Sequence, residues 1–257
     1  MRVPLPDAFL AAPLAHRGYH DRTRGVIENT LSAMRAACAA GYGIELDVLL
    51  SSDGVPMIFH DDDLDRVTQE TGPICLRTAA ELSAIRLTGS PDTIPRFAQV
   101  LDVVDGAVPL LIEMKDPTAT MCETDGRLES AIAQLLRDYA GPAAVMSFNP
   151  HSVAHLARLA PNRPRGLTTS GDCHDWRPDL TAETCARLLG IPDYDTTQSS
   201  FISHSVRHLA APRVAELKTQ GAAILCWTVR SPEAETQARK IADNITFEGY
   251  PAPFIFS

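Results

Sequence analysis

Short apolar runs rich in Val, Ile and Leu alternate along this chain with longer stretches in which apolar residues recur every three to four positions. The first pattern suits strands buried on both faces and the second suits helices with one buried stripe, so the alternation predicts successive β-α units. Strands are predicted over Pro13–Arg17, Gly43–Val48, Val108–Lys115, Ala143–Phe148, Arg165–Thr169, Phe201–His204, Ala222–Val229 and Asn244–Glu248. Helices are predicted over Asn29–Ala40, Thr93–Val104, Arg127–Tyr139, Pro150–Ala160, Thr181–Leu189, Val206–Gln220 and Pro232–Ala242. Asn29, Asn149 and Ser231 stand where N-caps belong, Pro150 and Pro232 take first helical positions, and Gly41, Gly190 and Gly221 follow helix ends. A ninth run, Val55–His60, is separated from Gly43–Leu50 only by Ser51-Ser52-Asp53-Gly54. A parallel crossover takes a dozen or more residues, so this link makes an antiparallel hairpin. Eight parallel strands remain, which predicts an α/β fold closed as a (β/α)8 TIM barrel. The chain then reads as a single domain over residues 1–257, with a small insertion of about 61–91 after the second strand and its hairpin.

Composition narrows the function classes. Of 257 residues, 45% are hydrophobic and 21% charged, enough to bury a large core and unlike disordered, collagenous or coiled-coil chains. Asp and Glu total 32 against 23 Lys and Arg, a net charge of −9 that gives no general attraction for nucleic acid or an anionic membrane. An anionic ligand must therefore be met by a local cluster of cations or by a metal. No stretch approaches the ~18 apolar residues of a membrane span, and MRVPLPDAFLAAPLAHRG has no apolar run of signal-peptide length. The six cysteines (Cys38, Cys75, Cys122, Cys173, Cys185 and Cys226) form no CxxC pair and read as free thiols, so a cytoplasmic location without stable membrane insertion is expected.

In a barrel of this kind, chemistry collects at the C-terminal ends of the strands. The polar residues there are His16 and Arg17 on the first strand, Glu45 and Asp47 on the second, and Glu113 and Lys115 on the third. Side chains alternate along a strand, so each i, i+2 pair points to one face, which in a barrel can be the interior. Three carboxylates converging there repel one another, and a divalent cation is the simplest remedy; all-oxygen ligation favours Mg²⁺ or Ca²⁺. The hairpin returns His60 towards Glu45 and Asp47, so that two imidazoles flank the same site and suit a proton taken on one side and given on the other. Arg17 and Lys115 supply the positive groups that a phosphate needs.

These residues fall within a longer ordered set: His16-Arg17-Gly18, Glu28-Asn29-Thr30, Glu45-x-Asp47-Val48, Asp53-Gly54, and His60-Asp61-x-x-Leu64-x-Arg66-x-Thr68-x-x-x-Gly72. It continues through Ile94-Pro95, Leu101, Ile112-Glu113-x-Lys115, Ser147-Phe148 and Trp227-Thr228-Val229. The set resembles the glycerophosphodiester phosphodiesterase family over nearly the whole chain. The resemblance implies a metal-dependent hydrolase that releases an alcohol and glycerol 3-phosphate from a small-molecule phosphodiester. It implies His16 and His60 as the acid/base pair, Glu45, Asp47 and Glu113 as ligands of one divalent cation, and Arg17 and Lys115 as phosphate contacts. The chain departs from the family pattern at Ile27, where Pro is frequent, and at Arg230, where Asn is usual after Val229. A third departure is Ile245-Thr246-Phe247-Glu248-Gly249-Tyr250-Pro251, where the family tends to carry Thr-Asp shortly before Pro.

Other residues admit two readings. Glu28 either orients Arg17 or sits at a helix N-terminus. Trp227 is either core or a substrate-binding wall for the glycerol moiety. The pairs His151/His155 and His204/His208 have i, i+4 spacing without HExxH and read as surface residues. Cys173-His174-Asp175 is adjacent in sequence, unlike the members of a catalytic triad, and reads as a loop. The rival functions are a related barrel phospholipase acting on intact phospholipid or forming a cyclic phosphate, and a noncatalytic glycerophosphodiester-binding barrel. The first needs a membrane-docking surface, and the second has no use for an acid/base pair.

Overall fold

The computed structural model describes residues 2–118, 120–175 and 180–254. Among them nine strands form one sheet: β1 (Leu14–Ala15), β2 (Gly43–Leu50), β3 (Pro56–Ile58), β4 (Leu110–Met114), β5 (Ala143–Ser147), β6 (Arg165–Thr169), β7 (Phe201–Ser205), β8 (Ala223–Val229) and β9 (Asn244–Phe247). The order β1-β9-β8-β7-β6-β5-β4-β2, with β1 paired back to β2, closes eight parallel strands into a TIM barrel. β3 lies antiparallel on the upper end of β2, with Val48 opposite Ile58, as the short link requires. β1 stops at Ala15, and two residues on Arg17 adopts a left-handed conformation.

Ten helices surround or cap this barrel among the described residues: α1 (Ala8–Ala11), α2 (Leu31–Ala40), α3 (Ala79–Ala84), α4 (Phe97–Val104), α5 (Arg127–Arg137), α6 (Pro150–Leu159), α7 (Ala182–Gly190), α8 (Asp193–Thr196), α9 (Pro212–Thr219) and α10 (Pro232–Ala238). Asn149 and Ser231 cap α6 and α10 through their side chains, and Pro150 and Pro232 open those helices. The cap of α2 is Thr30, whose hydroxyl accepts from Ala33 N, and not Asn29, which takes a left-handed conformation one residue earlier. The helix expected from Thr93 begins only at Phe97, because Pro95 biases its neighbour towards extended backbone and Thr93 bridges to Arg86. The stretch expected as one helix over Val206–Gln220 is a 3-10 turn, Val206–His208, followed by α9, whose first residue Pro212 fits a helix start and not a helix interior.

Two further expectations are corrected. Cys173 and Cys185 are joined in a disulfide across 12 positions, so the chain carries four free cysteines, Cys38, Cys75, Cys122 and Cys226, and not six. His204 is no surface residue: it is 2% exposed on β7, Thr169 Oγ1 lies 2.8 Å from its Nδ1, and burial pulls its pKa down to about 4. His151 and His155 remain partly exposed and both lie against Glu123.

The lower part of the barrel interior is apolar. Leu14, Leu111, Ala144, Phe201 and Leu225 fill it, and Leu5 and Phe9 close it from below. Gly166 makes room for this layer: a Cβ there would sit 2.4 Å from the Phe201 ring. Asn244 ties the plug to β9 by donating to the carbonyls of Phe9 and Ala12 at 2.7 and 2.6 Å. A larger cluster fills the layer between strands and helices. Leu64, Val67, Ile74, Leu82 and Leu87, from the stretch after the hairpin, pack with Met57, Phe59 and Ile27 in a cluster of their own beside β3.

Candidate active site

One register step above the apolar layer the interior turns polar. Leu14 gives way to His16, Leu111 to Glu113, and on β2 the inward positions are Gly43, Glu45 and Asp47, with Asp47 level with Glu113. Glu45, Asp47 and Glu113 are all buried and bring one oxygen each within 4.8 Å of one another. Burial, then the charges of Asp47 and Glu113, push the Glu45 carboxyl well above its ordinary range. Asp47 goes the other way: burial opposes ionisation, but Lys115, His60 and Arg17 and a hydrogen bond from Asn29 hold its carboxyl well below the usual range. A three-carboxylate set that cannot fully ionise by itself, with oxygens as its only donors, fits one hard divalent cation. The donor chemistry serves Mg²⁺ and Ca²⁺ alike.

The His16-Arg17-Gly18 turn places two functional groups at once. Arg17 takes φ 56°, so its backbone N–H donates to Glu45 Oε2 at 3.0 Å while its guanidinium reaches Glu28 at 2.6 Å and Asp47 at 3.5 Å. Gly18 follows at φ 80°, and a Cβ there would lie 2.8 Å from the Ala33 Cβ on α2, so the turn is held close against that helix. Glu28 orients Arg17, which settles its two readings; it also binds Arg66 at 2.7 and 2.9 Å. Lys115 Nζ lies 2.9 Å from Glu113 and 3.4 Å from Asp47, and those carboxylates raise its pKa against the opposing effect of burial.

His16 and His60 line the same cavity, of about 540 Å³, as the carboxylates, Arg17 and Lys115. His16 Nδ1 is hydrogen-bonded to Glu248 Oε2, and its Nε2 lies 3.9 Å from Glu45. Burial lowers the His16 pKa despite that hydrogen bond. His60 Nδ1 lies 2.7 Å from Asp61, which Arg66 Nε holds at 2.6 Å. Trp227 is a cavity wall: its ring meets Phe148 edge-on at 5.5 Å, and its Nε1–H donates to Ser203 O at 2.9 Å.

The cluster thus gathers all eight residues singled out from sequence: His16, Arg17, Glu45, Asp47, His60, Glu113, Lys115 and Trp227. Sequence reasoning missed Asn29, whose Nδ2 donates to Asp47 Oδ2 at 2.9 Å. Its signal was present in Glu28-Asn29-Thr30, but a helix-cap reading absorbed it. It also missed the role of Glu248, visible only as a departure from the family pattern. Ser170, Asp175 and His208 form a second polar group, in which Ser170 Oγ contacts Asp175 and lies 3.3 Å from His208 Nδ1. It is no triad, because the carboxylate holds the hydroxyl and not the imidazole, and Ser170 is fully buried. Cys173 is in the disulfide, and the side chain of His174 lies outside the described residues.

Comparison with known proteins agrees with this architecture. A glycerophosphodiester phosphodiesterase from Caldanaerobacter subterraneus is 26% identical over 245 residues, covering 90% of this chain and 91% of that one. Human glycerophosphodiester phosphodiesterase 1 is 28% identical over 200 residues, 74% of this chain, and the match spans about half (55%) of the human protein's length. The fold superimposes on an Oleispira antarctica phosphodiesterase solved with the product sn-glycerol-3-phosphate, with a TM-score of 0.75 and 23% identity, covering 93% of this chain and 94% of that one. A sequence profile of the glycerophosphoryl diester phosphodiesterase family matches residues 16–245, from His16 to the last barrel strand, and the chain belongs to that family.

Proposed function

We propose that this protein hydrolyses glycerophosphodiesters to glycerol 3-phosphate and an alcohol in a divalent-metal-dependent reaction, with His16 and His60 as the acid/base pair. The observation that carries this reading is the presence in one cavity of two carboxylate-backed imidazoles, a buried three-carboxylate cluster and the cations Arg17 and Lys115. Glu45, Asp47 and Glu113 would hold Mg²⁺ or Ca²⁺, which when bound offsets their repulsion, stabilises charge on the phosphoryl oxygens and polarises a hydroxyl nucleophile.

Arg17 and Lys115 bind the phosphate, and Trp227 packs against the glycerol moiety. His16, whose Nδ1 is engaged by Glu248, takes the proton from the glycerol 2-hydroxyl on Nε2, and that oxygen attacks phosphorus. His60 protonates the departing alcohol as its bond to phosphorus breaks. Water then opens the cyclic phosphate, with the two imidazoles exchanging roles. An attached hydroxyl brings a high effective concentration, and no Ser, Cys or Thr among the described residues stands in a triad. A cytoplasmic location belongs to the same reading, with the four free cysteines for it and the Cys173–Cys185 disulfide against it.

For the alternative of a phospholipase acting at a membrane, the described residues offer few exposed apolar side chains. Among the described residues the exposed large apolar side chains are the dispersed Leu10, Leu76, Leu159 and Leu189, and no helix is long and apolar enough to cross a membrane. The deciding experiment is turnover of glycerophosphocholine and glycerophosphoethanolamine with and without Mg²⁺ or Ca²⁺. Glycerol 3-phosphate should form only with metal, and His16→Ala and His60→Ala should each lower kcat about 10²- to 10⁴-fold. A pure binding barrel would retain these ligands without turnover.

A further inference from the structure

Two of the chain's departures from its family pattern meet in space. Arg230 follows β8 and Glu248 follows β9, where the register between those strands shifts between Cys226 and Val229. After the shift Val229 pairs with Phe247, and Glu248 N donates to Val229 O at 3.0 Å, so the next residues of both strands emerge side by side at the cavity rim. Arg230 Nε donates to Glu248 Oε1 at 2.7 Å, and the other carboxylate oxygen, Oε2, bonds His16 Nδ1. His20 Nε2 competes for Oε2 at 3.8 Å and makes no hydrogen bond, so the arginine holds the carboxylate with its free edge towards His16.

The same three-part device occurs once more in the site. His60 Nδ1, Asp61 and Arg66 form an imidazole, carboxylate and guanidinium chain at 2.7 and 2.6 Å. That copy is local, within seven residues of sequence, whereas His16, Glu248 and Arg230 come from three different strand ends. Both imidazoles are thus fixed by the same chemistry through unrelated connections.

We propose that Glu248, locked by Arg230, is the positioning residue of His16: it accepts the Nδ1–H and thereby leaves the unprotonated Nε2 as the nitrogen presented to the substrate. A carboxylate is an acceptor only, so it selects one tautomer, and its second oxygen, anchored to Arg230, fixes the ring plane. Arg230 touches Glu248 and not His16, lines the cavity and is mostly exposed. This role rests on the hydrolase reading for its consequence in turnover, but the tautomer itself can be seen without turnover.

The test joins a spectroscopic and a kinetic measurement on the full chain. In ¹⁵N-histidine-labelled protein, the His16 resonances are assigned by their loss in His16→Gln. They should show a protonated Nδ1 in the wild type and a shift towards the Nε2–H form in Glu248→Ala. Glycerophosphocholine turnover with saturating Mg²⁺ should lose about 10- to 100-fold in kcat with KM little changed, the usual size of a lost orienting partner. Glu248→Asp, which keeps the acceptor, should recover part of the loss, and the exposed Arg230→Ala should move both readouts in the same direction by less. If Glu248→Ala fails to fold, Arg230→Ala alone decides, since it leaves the barrel core untouched. An unchanged His16 tautomer in whichever of these variants folds, or kcat unchanged beside a shifted tautomer, would overturn the proposal. A tautomer shift in Glu248→Ala beside a wild type that hydrolyses no glycerophosphodiester would instead overturn the hydrolase reading and leave Glu248's hold on His16 standing.

Discussion

Glu28 shows how much a residue without chemistry of its own can organise. Its carboxylate bridges Arg17 in the site and Arg66 beside His60, and although burial opposes ionisation, those two guanidiniums bring its pKa from 4.5 to about 2. A depressed carboxylate contributes stability that is fully present above about pH 4.5 and is lost as the pH falls through about 2. The shift corresponds to about 3 kcal/mol. Glu28→Gln should therefore flatten the acid limb of a Tm-against-pH curve in that window, and identical limbs for variant and wild type would exclude the bridge. Glu45 behaves oppositely. Its raised pKa means that the metal-free fold loses stability as the pH rises from 4.5 towards the folded value, so Glu45→Gln should raise Tm in EDTA at pH 7. Asp47→Asn should lower it, because Lys115 and Arg17 then lose their partner. Addition of Mg²⁺ should stabilise the wild type more than Glu45→Gln, a difference that calorimetric melts at fixed pH would measure.

At the scale of elements, the hairpin and the stretch after it do more than decorate the second strand. β3 carries the chain back to His60, and the cluster around Leu64, Ile74 and Leu82 holds that return in place. Asp62, Asp63 and Asp65 from the same stretch line the cavity together with the apolar Phe148 and Trp227. Carboxylates there favour a cationic alcohol over a neutral one. The double variant Asp63→Asn, Asp65→Asn should lose more kcat/KM on glycerophosphocholine than on glycerophosphoglycerol, with little change on a small activated diester. Equal losses on all three substrates would place these residues in the reaction itself and not at the mouth.

For the whole molecule, the barrel separates stability from chemistry along its axis. The apolar lower layer, plugged by α1 through the fully buried Phe9, supports a polar upper layer that carries every residue of the candidate site. Phe9→Ala should cost about 3 to 5 kcal/mol by leaving a cavity beneath the strands. At 25 °C its kcat should stay near that of the wild type, since the plug lies at the far end of the barrel from His16. A matched fall in kcat and Tm, measured by steady-state kinetics and thermal unfolding, would show that the two layers are coupled.

The sequence by itself determined the elements and their sense of winding. Eight runs of Val, Ile and Leu too short for helices, spaced by amphipathic stretches, leave little but a parallel barrel, and a link of four residues leaves only a hairpin. It also determined which strand residues share the interior, because alternation puts Glu45 with Asp47 and Glu113 with Lys115 without any knowledge of their neighbours. Contacts between distant segments were decided by tertiary structure alone. Asn29 looks like a helix cap until β2 brings Asp47 beside it, and His204 looks like a surface residue until β6 and β8 enclose it. Cys173 and Cys185 look like unrelated thiols until the chain after β6 folds back through α7. Glu248 and Arg230 belong to this second kind, since local pattern fixes where a side chain points, but only strand register fixes what it meets.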